Sequence, residues 1–247
     1  MTELIEREKT GFKVLDEILE GGFPRPASVL LIGPIGTNKN TISQQFMWQG
    51  LKLGQKAIYI TVDTLPKDII ENMLKYGWDV RPYIERGQLV FVDGFSSRVG
   101  LESHARYIIE NPFDIDDVLR TVFIAEQEVF GSEGHGRLVF THLSTIMFCW
   151  NRREIMKFIE RMHAEARKFN SIYMLVYSEG VRNKYIETFI KQLPDVVIAL
   201  SKEWVNGRAQ RYIWIEKCLK TRYPKEKMIF HTTEYGIEIE YPRARTY

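Results

Sequence analysis

Residues 33–41 read Gly33-Pro34-Ile35-Gly36-Thr37-Asn38-Lys39-Asn40-Thr41. They follow an apolar run, Val29-Leu30-Leu31-Ile32, and lead into a helical pattern from Ile42 to Leu51. A strand, a glycine-containing loop and a helix in that order can hold a phosphate. Backbone N–H groups and the positive end of the helix dipole converge on the anion. The standard form, G-x-x-x-x-G-K-[S/T], adds a lysine for the phosphates and a hydroxyl for Mg²⁺. Here Gly33 and Lys39 are in register, Asn38 stands in place of the second glycine, and Asn40 in place of the hydroxyl residue.

Each replacement has a physical consequence. Asparagine tolerates the left-handed backbone a glycine would take, yet it puts an amide where a phosphate oxygen would sit. Asn40 offers only an amide carbonyl to a metal. Thr41 comes one position late, about 100° further round the helix. Lys39 keeps its charge, and the helix keeps its dipole. The candidate phosphate-binding residues are therefore Gly33, Gly36, Thr37, Asn38, Lys39, Asn40 and Thr41. No catalytic residue and no metal ligand is assigned among them. Gly-rich strand-to-helix turns also occur without any ligand.

The elements that must position this loop alternate. Strand patterns cover Ala57 to Val62, ending at Asp63, and Gln88 to Asp93, Arg137 to Thr141, Ser171 to Tyr177 and Asp195 to Leu200. Helical spacing covers Lys67 to Tyr76, Asp116 to Glu128 and Arg152 to Phe169. Arg211 to Lys217, Met228 to Thr233 and Gly236 to Tyr241 read as a terminal antiparallel set. Alternating βα units imply an α/β fold with a mainly parallel sheet flanked by helices. There is no internal repeat and no domain boundary, so a single domain over residues 1–247 is expected.

Composition bounds the function. The 247 residues are 45% hydrophobic and 27% charged, ordinary for a globular protein. No apolar stretch is as long as a membrane span. The first nine residues lack the apolar core of a signal peptide, so a cytoplasmic location and no membrane partner are expected. Cys149 and Cys218 are too few for a disulfide framework or a zinc site, and both are read as buried reduced thiols. The net charge of +2 speaks neither for nor against nucleic acid.

These pieces resemble the KaiC-like branch of the RecA-type P-loop ATPases, common in archaea. Thr10-Gly11-Phe12, Leu15-Asp16-Glu17-Ile18-Leu19 and Gly21-Gly22-Phe23-Pro24 are similar to that family's opening segment, T-G-x-x-x-L-D-x-x-L-x-G-G-x-P. Gln44-Gln45-Phe46, Gly50-Leu51, Gly54, Asn72-Met73 and Gly77-Trp78-Asp79-Val80 continue in register. Lys217-Cys218-Leu219-Lys220-Thr221 matches part of the late K-M-R-G-T element. The resemblance implies a RecA-like core with a C-terminal β-hairpin.

It also implies chemistry that the residues here only partly supply. Active relatives end the strand after Arg137 in an Asp that holds the Mg²⁺ shell, where this chain has Thr141. They end the strand at 58–62 in two acids that polarise water, where this chain has Asp63 and Thr64. Their late element reaches a neighbour's phosphates through Lys and Arg, where this chain has Lys217 and Leu219. Asp63 and Lys217 thus join the candidate nucleotide-binding residues, although Asp63 reads equally as a helix N-terminal acid.

The expectation is a catalytically degenerate family member, a pseudo-ATPase. It binds ATP or ADP weakly, and Mg²⁺ lacks its usual ligands. Association with copies of itself, or with an active RecA-type relative, is its expected mode of action. A slow ATPase with an altered site using Lys39, Asp63 and Lys217 is the first alternative. The second is a nucleic-acid-binding accessory protein related to recombinase paralogues. It would use Val181 to Tyr185, or the basic residues Arg208, Arg211, Lys217, Lys220, Arg222, Lys225 and Lys227 near Trp204, Trp214 and Tyr223. Glu203, Glu216 and Glu226 interrupt that set, which favours a solvated face. His142, at a strand end but without spaced partners, reads as a structural histidine.

Overall fold

The computed structural model describes residues 5–132, 134–181 and 184–241. The reading of Val181 to Tyr185 as a nucleic-acid loop falls, at 182–183, outside the described residues. β1 (Arg7–Glu8) pairs antiparallel with β2 (Phe23–Pro24), with α1 (Lys13–Ile18) between them. β3 (Ala27–Gly33) runs through the loop into α2 (Lys39–Lys52). β4 (Lys56–Thr61), α3 (Pro66–Leu74), α4 (Arg81–Glu85), β5 (Leu89–Asp93), α5 (Phe95–Val99) and β6 (Tyr107–Ile108) follow. Next come α6 (Ile115–Phe130), β7 (Gly136–Phe140), α7 (Leu143–Met147), α8 (Arg152–Lys168), β8 (Ile172–Ser178) and α9 (Lys184–Gln192). The chain then turns into β9 (Val196–Val205), β10 (Arg208–Cys218), β11 (Met228–Thr233) and β12 (Gly236–Ile239).

One ten-stranded sheet runs β12-β11-β10-β9-β3-β8-β7-β4-β5-β6. It is parallel from β9 to β6 and antiparallel from β9 to β12. The terminal strands are antiparallel, as expected. They continue the core sheet on the side of the phosphate loop. The buried strand residues alternate between two cores, as a period of two requires. Leu30, Ile32, Ile58, Ile60, Leu138 and Phe140 pack on the face of α6 and α8. Val29, Leu31, Ala57, Tyr59 and Val139 pack with Ile42 and Phe46 of α2 on the other. Both faces are covered, which is why these strands read as unbroken apolar runs.

The long helices have legible starts. Asn151 accepts from the N–H groups of Arg153 and Glu154, and Glu154 reaches back to the Asn151 N–H at 2.6 Å, a capping box on α8. Asp114 accepts from the Asp116 N–H and caps α6. The five- and six-residue helices α1, α4, α5 and α7 are too short to show a period, and the sequence pattern did not reveal them. Cys218 is buried as expected, but Cys149 is exposed, because it follows the short α7 rather than continuing a strand.

Burial creates one charge problem away from the loop. Glu126 of α6 is fully buried, and neither of its carboxylate oxygens has an aligned hydrogen-bond partner among the described residues. Burial first, then the charge of nearby Glu165 on α8, pushes its pKa up to about 8. The folded state therefore holds a proton that the unfolded chain releases above roughly pH 4.3. Stability from this group is full below that pH and is lost as pH rises towards 8. The Glu126→Gln variant is expected to match the wild type in melting temperature at pH 4. At pH 8 it should be more stable by about 2 kcal/mol or more. A pair of thermal melts at the two pH values checks this.

Candidate functional site

The loop closes the C-terminal end of β3, between β8 and β9. Gly33 is the last residue of β3, and its carbonyl accepts from the Glu179 N–H at 3.1 Å. Gly36 takes φ +82°, which an L side chain rarely adopts. Asn38 sits at φ 59° and ψ 28°, the left-handed conformation expected of it. Its amide does not enter the phosphate cradle, however. Nδ2 turns outward and donates to Thr232 Oγ1 on β11 at 3.0 Å. Thr37 is buried and spends its hydroxyl on the Pro34 carbonyl at 2.8 Å. Among the described residues, the backbone N–H groups of Ile35, Gly36 and Asn38 donate to no protein acceptor. The loop thus leaves three backbone N–H groups available to a ligand.

Lys39 is mostly buried and points back into the loop. Its ammonium donates to the carbonyls of Gly33 at 2.9 Å and Pro34 at 2.8 Å. Desolvation pulls its pKa down to about 8, against the opposing charge of Glu179. Glu179 itself is 3.6 Å from the Lys191 ammonium.

The metal side of the loop is built differently from the standard form. Asn40 Nδ2 donates to His142 Nε2 at 3.0 Å. An Nε2 that accepts leaves the proton of a neutral imidazole on Nδ1. That nitrogen faces Asp63 Oδ1, and Asp63 also accepts from Thr64 Oγ1 at 3.1 Å. The tertiary structure therefore supplies the partners that His142 lacked in the sequence. Thr141 is buried and donates its hydroxyl to the Ile60 carbonyl at 3.0 Å. Thr41 lies beside these groups, with Asn40, Gln44, Tyr59, Thr64 and His142 around a pocket of about 400 Å³. Tyr59 is buried, and desolvation pushes its hydroxyl up to about 12.

The two positions that would hold Mg²⁺ carry neither the usual hydroxyl nor the usual carboxylate. A hard cation takes oxygen ligands. At the two expected positions stand Asn40, an amide whose Nδ2 is held by His142, and Thr141, a hydroxyl held by its own sheet, and neither is the usual ligand. Among the described residues no group of three or more His, Cys, Asp or Glu is placed to hold a metal.

Lys217 is not brought to the loop of its own chain. It pairs across the sheet with Val197, whose neighbour on β3 is Leu30, three residues before Gly33. Its ammonium donates to the Gln192 carbonyl at 2.5 Å. The residues of β9 and β10 that do reach the loop are Lys202 and Arg211. Arg211 Nε donates to the Gly36 carbonyl at 2.9 Å. The Lys202 ammonium lies 3.1 Å from where a Cβ would stand on Gly36. Of the rest of the basic set, Lys227 pairs with Glu203, and Glu216, one of the interrupting acids, pairs with Lys191. Lys227 also lies over the rings of Tyr212 and Trp214, and Trp214 packs against the core while Trp204 is exposed.

A signal for Lys202 was present in Asn206-Gly207, the dipeptide of a two-residue hairpin turn. Both residues have positive φ, 51° and 74°. Counting back from that turn pairs 205 with 208 and, three steps further, 202 with 211, as observed.

Sheet order, loop and lysine together define a P-loop α/β domain of the RecA type. The profile of the KaiC ATPase family matches residues 8–244. The UPF0273 protein PH0284 of Pyrococcus horikoshii is 31% identical over 97% of this chain and 95% of its own length. The UPF0273 protein of Aeropyrum pernix is 30% identical over the same shares. The crystal structure of the KaiC-like protein PH0186 from Pyrococcus horikoshii covers 96% of this chain and 100% of its own, at 25% identity and a TM-score of 0.77. The chain belongs to the KaiC ATPase family. No helix among the described residues is long and apolar enough to cross a membrane.

Proposed function

We propose that this protein is a KaiC-family domain that binds the phosphates of ATP or ADP but has lost hydrolysis, and that it acts by associating with another RecA-type subunit. The observation that carries the reading is the commitment of the metal-side groups to the chain itself: Thr141 Oγ1 to Ile60, Asn40 Nδ2 to His142. The cradle of free N–H groups and Lys39 support phosphate binding. Exposed Ile35 at the loop tip and Trp204 at the end of β9 support a docking face beside the site.

Lys39 gives the test. An ammonium with a pKa near 8 is partly neutral in the free protein above that pH. A bound phosphate favours the charged form and raises the pKa. Binding therefore takes up protons around pH 8, and affinity falls as pH rises through that range. Calorimetry with ADP from pH 6.5 to 9.5 is expected to show up to about tenfold weaker binding per pH unit above 8. Lys39→Ala should remove most of the binding and the proton uptake with it. A wild-type protein that binds neither ADP nor ATP at any pH refutes the phosphate-site reading.

A further inference from the structure

Lys202 and Arg211 stand directly opposite each other on β9 and β10. Like charges in that position destabilise a pair of strands. Among the described residues, neither makes an ion pair with a carboxylate. The neighbouring cross-strand position, Gln210 opposite Glu203, offers no relief either, because Glu203 is paired with Lys227. Both cations converge on Gly36, whose left-handed turn exposes the free N–H groups of the loop. Lys39 adds a third positive charge from the other side. Glu179 is the one acid near Lys39, and it is shared with Lys191. On the metal side Asn40 Nδ2 and the Thr141 hydroxyl are bonded within the chain.

We infer that Lys202 and Arg211 take the place of the metal, so that this loop binds a di- or triphosphate without Mg²⁺. Each supplies charge-assisted hydrogen bonds to phosphate oxygens, and the guanidinium presents a planar fork suited to them. The anion in turn relieves the repulsion between the two side chains. This rests on the reading of the loop as a phosphate site, and it goes further by naming the counter-charge and excluding the metal.

The experiment is calorimetry of the full chain with ATP and with pyrophosphate, once in EDTA and once in excess Mg²⁺. Wild type is expected to bind at least as tightly in EDTA. The double variant Lys202→Gln, Arg211→Gln should bind about tenfold or more weakly in EDTA, each lost charged contact accounting for part of that factor. Without ligand the double variant should melt no lower than wild type, since a like-charged pair has been removed. That separates loss of binding from loss of fold. Binding seen only with Mg²⁺ overturns the inference and leaves the phosphate site standing. Equal binding by wild type and double variant in EDTA overturns the role of the two cations. No binding of either anion under either condition overturns this inference and the phosphate site together.

Discussion

Given Mg-ATP, the purified protein is expected to release phosphate at the rate of the protein-free blank. Phosphoryl transfer is catalysed by positioning and by charge placed at the transferring group. Losing one such stabiliser typically slows the reaction by roughly 10²–10³. Here the metal hydroxyl position carries Asn40, the metal carboxylate position carries Thr141, and the second water-polarising acid is Thr64. The losses do not simply multiply, because the groups act as one unit. Among the described residues, the titratable pair left on that side is Asp63 with His142. Turnover above the blank that disappears in both Lys39→Ala and His142→Ala would instead assign a slow ATPase that has recruited this histidine.

The second large effect concerns stability. Arg137 →Met is expected to cost about 3–5 kcal/mol, the usual consequence of removing one partner of a buried ion pair. For a chain of this size that lowers the melting temperature by roughly 10 °C or more. The guanidinium is fully buried in the middle of the domain. It donates to Gln55 Oε1 at 2.6 Å, to the Phe46 carbonyl at 2.6 Å and to the Lys9 carbonyl at 2.7 Å. It stacks 4.4 Å from the Phe46 ring centroid and lies 3.8 Å from Glu8. Burial lowers its pKa to about 10, which still leaves it charged at neutral pH. Gly50 on α2 makes room, since a Cβ there would fall on the Arg137 side chain. One residue thus ties β7, α2 and the chain before α1 together, and α2 carries the loop. Chemical denaturation of Arg137→Met and Arg137→Lys checks it. A melting temperature within 2 °C of wild type, about 1 kcal/mol or less, would show that the neighbouring carbonyls and Glu8 find other partners.

Most of the fold was legible in the chain, because its signals are local. A buried strand such as Val29 to Ile32 is apolar throughout, and a helix such as α8 announces itself by period and by Asn151 at its cap. The loop was legible for the same reason: Gly33, Asn38 and Lys39 are consecutive, and the left-handed turn at Asn38 follows from its residue type. What surrounds the loop was not. Thr141 and Asn40 could be seen to lack the usual metal-binding groups, but their engagement with Ile60 and His142 depends on segments 81 and 102 positions away meeting side by side. His142 found Asp63 only because β4 and β7 are neighbours in the sheet.

Lys217 and Lys202 show the division most clearly. A motif match along the chain selected Lys217 as a residue for a neighbour's phosphates; within its own chain it lies three residues short of Gly33 and is bonded to Gln192. Lys202 had no motif, and the Asn206-Gly207 turn set it opposite Arg211. The sequence by itself determined the class of fold, the position of the phosphate loop and the missing metal groups, since residue type and spacing suffice for these. The tertiary structure alone decided which charges stand over the loop, because the strand order that sets the β9–β10 hairpin beside β3 is a long-range fact that no local pattern encodes.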